Sequence, residues 1–190
     1  MIDREIKQCL GQMIKGVQVI GAHHDDLARA YTSHWLTQVS FEEPVVMASV
    51  SSKHDTYPLM IESGQFSASL LAADQIAEGQ YFSYPGRKFR YVADEYITPW
   101  TDHGGLPVVP NSIAWLQCSI FDEMAMRDHQ LVFAEVTAVE PIRLKEPPLV
   151  YSSRLGWRAT GDRARERGVS IRDQLLERVA ELPDEPASAE

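Results

Sequence analysis

Apolar residues along this chain fall mostly into short alternating or continuous runs, the pattern of strands, with only a few segments spaced as helices. Asp3 to Met13 carries Ile6, Leu10 and Met13 at helical spacing with Cys9 beside them, and Gly16 ends that segment. "GVQVIGA" then reads as a short strand and "HHDD" as its turn. Ala28 to Ser40 reads as one strand with a heavy load of hydroxyls, at Thr32, Ser33, Thr37 and Ser40. The nearly all-apolar "VVMASV" predicts a strand covered on both faces. "SSKHDTYPLMIESG" opens with cap and turn residues and holds a short helix, broken near Pro58 and stopped by Gly64.

Further along, "QFSASLL" sets Phe66, Ala68 and Leu70 against Ser67 and Ser69, which predicts a half-buried strand. "ADQIAEGQYFS" reads as another short helix, and Tyr84 to Asn111, dense in Pro, Gly and aromatics, as an ordered excursion or lid. "SIAWLQCSIF" and "LVFAEVTAVEPIRL" are long alternating strands joined by "DEMAMRDHQ" as a hairpin connection, and "PPLVYSSRLGW" ends the sheet. "SIRDQLLERVAEL" is amphipathic, with Ile171, Leu175, Val179 and Leu182 in one stripe, and the tail 183–190 reads as disordered. Strands without βαβ alternation, repeat or linker predict one mainly β domain over residues 1–182, a barrel closed on itself with short N- and C-terminal helices.

The 190 residues, 44% hydrophobic and 24% charged, suit a globular domain. No apolar run approaches the ~18 residues of a membrane helix. The N-terminus lacks an apolar signal core, and two cysteines make no disulfide framework, so a cytoplasmic protein is expected. A net charge of −9 argues against nucleic acid or anionic membrane as partner. An anionic ligand would then need local positive charge, and "YPGRKFRY" supplies Arg87, Lys88 and Arg90. A solvated turn carries the same charges at no cost.

Neither standard glycine-rich phosphate cradle is present, nor a G-x-S-x-G elbow, an H-E-x-x-H or a paired C-x-x-C. His23 and His24, beside Asp25 and Asp26, would point to opposite faces of a strand, so no metal is expected there. Cys118 and Cys9 read as small core hydrophobes. His129 stands beside Asp128 at a strand start, and so at a barrel rim, where its spacing alone favours a solvated turn histidine over a functional one.

The order of "GVQVIGA", "YTSHWLTQVSFEEPVVMASVSS", "SGQFSASLLAADQ", "IAWLQCSIF", "DHQLVFAEV" and "PPLVYSSRLG" resembles the flavin reductase-like proteins, the FMN-binding split-barrel group that includes reductase components of two-component monooxygenases. The resemblance runs from about Gly16 to Gly156. It implies a flavin along the hydroxyl-rich strand, contacted by Thr32, Ser33, His34, Trp35 and Thr37. Ser51, Ser52 and Lys53 would lie near the phosphate, with Arg87, Lys88 and Phe89 completing that end. His129 becomes the catalytic candidate, near flavin or nicotinamide, and Tyr151 approaches the same pocket. The chain departs from the family's more usual Asn-Ser with His34 and Trp35, and from its double proline with "FEEP". FMN is the implied cofactor with FAD as alternative, NADH or NADPH the donor, a monooxygenase or other acceptor the partner, and a homodimer the assembly. The alternatives are a flavin-binding electron carrier without enzymatic activity and, third, a split barrel holding haem or a metal through His34 or His129.

Overall fold

The structure, a computed structural model, describes residues 2–83 and 96–159. In chain order its elements are α1 (Arg4–Leu10), β1 (Lys15–Gly16), β2 (Gln18–His24), β3 (Leu27–Ser33), β4 (Leu36–Gln38), β5 (Val45–Val50), α2 (Thr56–Ser63) and β6 (Gln65–Leu70). There follow α3 (Ile76–Tyr81), β7 (Thr98–Trp100), β8 (Leu106–Val108), β9 (Ala114–Met126), β10 (His129–Pro141), β11 (Leu149–Ser152) and β12 (Gly156–Ala159).

The segment expected to be one strand as far as Ser40 is two. β3 stops at Ser33, the chain bends through His34 and Trp35, and β4 begins with a new partner. β3 pairs with β2, whereas β4 pairs with β5. The seven-stranded antiparallel sheet runs β3-β2-β6-β9-β10-β5-β4, so its two end strands are neighbours in sequence. A sheet whose opposite edges are joined by two residues must curl back on itself. The mainly β architecture is therefore present as a curled half-barrel, and the closure expected of the barrel is corrected: β3 and β4 end the sheet without pairing to each other.

Its interior is apolar: Ile20, Ala22, Val46, Ala48, Phe66, Ala68, Cys118, Val132 and Ala134 meet there, with Leu59 and Met60 from α2. Burial pushes the Cys118 thiol up to about 12, an inert core group as expected. α2 runs unbroken through Pro58, which sits in the first turn where a missing N–H leaves no bond unmade. Gly64 then ends it at φ 68°.

Further expectations are corrected at the outer faces of the sheet and at α1. β5 was expected to be covered on both faces, but only Val46, Ala48 and Val50 are buried; Met47 and Ser49 face outwards over a cleft. β6 errs the other way: Ser67 and Ser69 are fully buried, because the β7–β8 hairpin packs over them. The Ser67 hydroxyl donates to the Pro107 carbonyl, and Ser69 Oγ accepts from the Val109 amide at 2.9 Å. The later part of the Tyr84–Asn111 excursion is thus a second layer and no lid. α1 is shorter than expected, capped by Asp3 and closed at Gly11, and none of its residues is buried. Cys9, read as a core residue, is exposed, and Ile6 and Leu10 remain about half exposed at 53% and 49%.

Two connections are tighter than expected. His23 and His24 belong to β2, leaving Asp25 and Asp26 as the turn. β9 and β10 extend until only Arg127 and Asp128 join them. β11 does not end the main sheet but forms a three-stranded one, β1-β11-β12, in which Tyr151 lies opposite both Lys15 and Trp157. Arg87, Lys88 and Phe89, the amphipathic segment to Leu182 and the tail lie outside the described residues. No helix among the described residues is long and apolar enough to cross a membrane.

Candidate functional site

The corner between β3 and β4 is fastened by the hydroxyls that drew notice in the sequence. Ser33 Oγ accepts from the Trp35 amide at 3.1 Å, and the Trp35 carbonyl accepts from the Ser49 amide at 2.9 Å. The Thr32 hydroxyl donates to the Gly79 carbonyl at 2.7 Å, tying β3 to α3. Ser40 Oγ accepts from the Glu43 amide. Most of these groups therefore serve the backbone where the strand changes partner. Thr37 differs: its exposed hydroxyl has only a 3.4 Å contact with the Gln38 carbonyl.

His34, Trp35 and Thr37 line an open cleft of about 740 Å³, a volume suited to a small-molecule site. Met47 and Ser49 supply its floor, since among the described residues no element covers the outer face of β5. Arg127, Asp128 and His129 approach from the β9–β10 turn, and Met13, Ile14 and Lys15 from the chain leading into β1.

The aromatic groups divide the work. Trp35, 48% exposed, meets His129 edge-on with ring centroids 4.9 Å apart, and the Lys15 ammonium lies 5.4 Å from the indole centroid. His34 is stacked on Tyr151 and tilted against Trp157 at 5.3 Å. Its Nε2 is buried and finds no hydrogen-bond partner among the described residues. Burial, and then the Lys15 charge, lower its pKa to about 4, so the ring is neutral near pH 7.

On the far wall His129 Nδ1 lies 3.1 Å from Asp128 Oδ1. That hydrogen bond, more than any other group, holds the Asp128 carboxyl below its ordinary range, and the Lys53 charge acts in the same sense. The loop Ser51–Lys53 thus stands beside the β9–β10 turn. His54, stacked on Tyr31 at 4.7 Å, also has its pKa lowered, by burial and then by His129.

Of the residues singled out in the sequence, the cleft brings together His34, Trp35, Thr37 and His129. Tyr151 supports His34 from behind, and Ser51, Ser52 and Lys53 flank the site. The Thr32 and Ser33 hydroxyls are engaged behind it, and Arg87, Lys88 and Phe89 are outside the described residues. Lys15, Met47, Ser49 and Arg127 were missed. Of these, Arg127 had a readable signal, its place beside the Asp128–His129 pair. The floor and walls of this cleft offer aromatic and thioether surface, small hydroxyls and cations, which together can hold a planar ring with a polar edge and an anionic tail.

A family model described as "Flavin reductase like domain" matches residues 10–155. The NADH-dependent flavin reductase StyB of Pseudomonas fluorescens is 27% identical over 152 residues, covering 78% of this chain and 85% of that one. The reductase component of 4-hydroxyphenylacetate 3-monooxygenase from Thermus thermophilus is 31% identical over 150 residues, 78% of this chain and 91% of its own. The styrene monooxygenase flavin reductase of Pseudomonas putida S12 superposes with a TM-score of 0.70 at 24% identity, over 83% of this chain and 98% of that one, which shows the shared fold. With the family pattern spanning nearly all of its described residues, this chain belongs to the flavin reductase like family.

Proposed function

We propose that this chain is an NAD(P)H-dependent flavin reductase that seats its flavin in the cleft at the His34–Trp35 corner. The observation that carries the reading is the cleft itself, where an exposed indole, a thioether floor and cationic side chains converge on one strand bend. StyB, its relative, is named an NADH-dependent flavin reductase. A bound flavin would supply the redox chemistry by accepting hydride from the nicotinamide. The protein's part is to bind and orient. Trp35 and Met47 give the ring its apolar contacts, while Thr37 and Ser49 lie within the same wall for its polar edge. His129, steadied by Asp128, stands where a second ring would enter. Lys53, with Arg87 and Lys88, is assigned to the flavin phosphate.

FMN is the cofactor in this reading, FAD the alternative. The reduced flavin would serve a monooxygenase or another acceptor, as the name of the Thermus thermophilus relative describes for that protein. A homodimer fits the apolar face of α1 that no described residue covers, and free cysteines at positions 9 and 118 are in keeping with the cytoplasm.

The test is a titration with FMN and with FAD followed by fluorescence, then anaerobic mixing with NADH or NADPH. Saturable flavin binding and bleaching faster than that of free flavin are expected. Binding without accelerated bleaching would make the protein an electron carrier instead, and absence of binding would remove the assigned site.

A further inference from the structure

β9 and β10 are joined by Arg127 and Asp128 alone, because Met126 pairs directly with His129. Two-residue hairpin turns need a positive φ at their first position, which favours glycine or asparagine. Here Arg127 occupies it at φ 57°. An arginine in that conformation is strained, and packing does not compensate, since its side chain is exposed. Nor does it take part in an ion pair, hydrogen bond or ring contact among the described residues.

What the residue does have is position. It lines the cleft beside His129, on the side where Trp35 and His129 meet. Lys15 reaches the same place over the indole, and Lys53 acts on Asp128 from the neighbouring loop. Among the described residues lining the cleft the sole carboxylate is Asp128, already engaged by His129. On a chain of net charge −9 the mouth of the cleft is therefore locally cationic, with one guanidinium fork uncommitted.

We propose that Arg127 is a specificity-determining residue that binds a phosphate of the dinucleotide electron donor. A planar guanidinium takes a phosphate through two parallel hydrogen bonds, and the turn's strain is retained because it aims that fork at the entrance. The inference rests on the reductase reading and names the part of the donor that this chain grips.

The test compares Arg127→Gly, which removes cation and strain together and so keeps the fold, with Arg127→Lys, which keeps charge without the fork. ADP-ribose, which carries the pyrophosphate but no nicotinamide, is titrated by tryptophan quenching, and FMN is titrated separately. The glycine variant should bind ADP-ribose about tenfold more weakly and show a similar rise in KM for NADH or NADPH, larger than any fall in kcat. FMN affinity should change less than about twofold, and the lysine variant should lie between. Equal ADP-ribose affinity in parent and glycine variant, or no ADP-ribose binding by the parent, overturns the proposal. So does a parallel loss of FMN affinity, which would hand the guanidinium to the flavin phosphate. ADP-ribose binding needs no turnover, so failure to oxidise either nicotinamide would count against the reductase reading alone.

Discussion

The imidazole of His34 lies flat against the Tyr151 ring, with centroids 4.2 Å apart and planes 13° from parallel. Through this contact β11, which lines none of the cleft, sets the orientation of a residue that does. The stack also keeps the imidazole away from water, and that has a measurable consequence.

A histidine with a pKa of about 4 when folded, against about 6.5 when unfolded, binds its proton more readily in the unfolded chain. Its contribution to stability is complete above about pH 6.5 and is lost progressively as the pH falls toward 4. His54 pulls in the same direction, so the comparison must be with a variant that leaves it in place. Melting curves across this range should fall less steeply for His34→Gln than for the parent. Identical slopes would show that His34 titrates normally.

Trp35→Ala should weaken flavin binding about fivefold to tenfold, the worth of one aromatic stacking contact. The side chain is half exposed, so Tm should hardly move. A fluorescence titration and a thermal melt of the same sample decide it; a large drop in Tm with unchanged affinity would make the indole structural.

His129→Ala should lower kcat/KM for the nicotinamide about tenfold, through a lost hydrogen bond and ring contact, with flavin affinity within about twofold. Steady-state kinetics at saturating flavin measure this. An unaltered kcat/KM would leave His129 as the partner of Asp128 alone.

Gly21→Ala tests the second layer over β6. A methyl group there would overlap the Pro107 carbonyl and the Ser67 hydroxyl, and the carbonyl is backbone. A cost of about 1–3 kcal/mol follows from overpacking, seen as a Tm lower by several degrees. Parental stability would mean the β7–β8 hairpin is free to move off the barrel.

The strands were legible because alternation survives in any register. The break at His34–Trp35 was not, because a strand that changes partner keeps its side-chain period and its β-favouring residues. Ser67 and Ser69 looked like a solvent face. Their covering comes from residues 40 positions away in sequence, which no local pattern reports. α1 shows the converse: Ile6 and Leu10 fall in the helix as read, but Met13 lies beyond its end, and a stripe does not say what will cover it. In the cleft, His34, Trp35, Thr37 and His129 were named from the family resemblance of the segment order. Lys15 and Ser49 did not, since pairing of β1 with β11 and the outward face of β5 bring them in.

Because the two edges of the curled sheet are joined through two adjacent residues, a molecule that settles over His34 and Trp35 would act as a clasp on the curled form. Affinity and resistance to unfolding then become two readings of one equilibrium, and a chain emptied of its cargo should open first at that join.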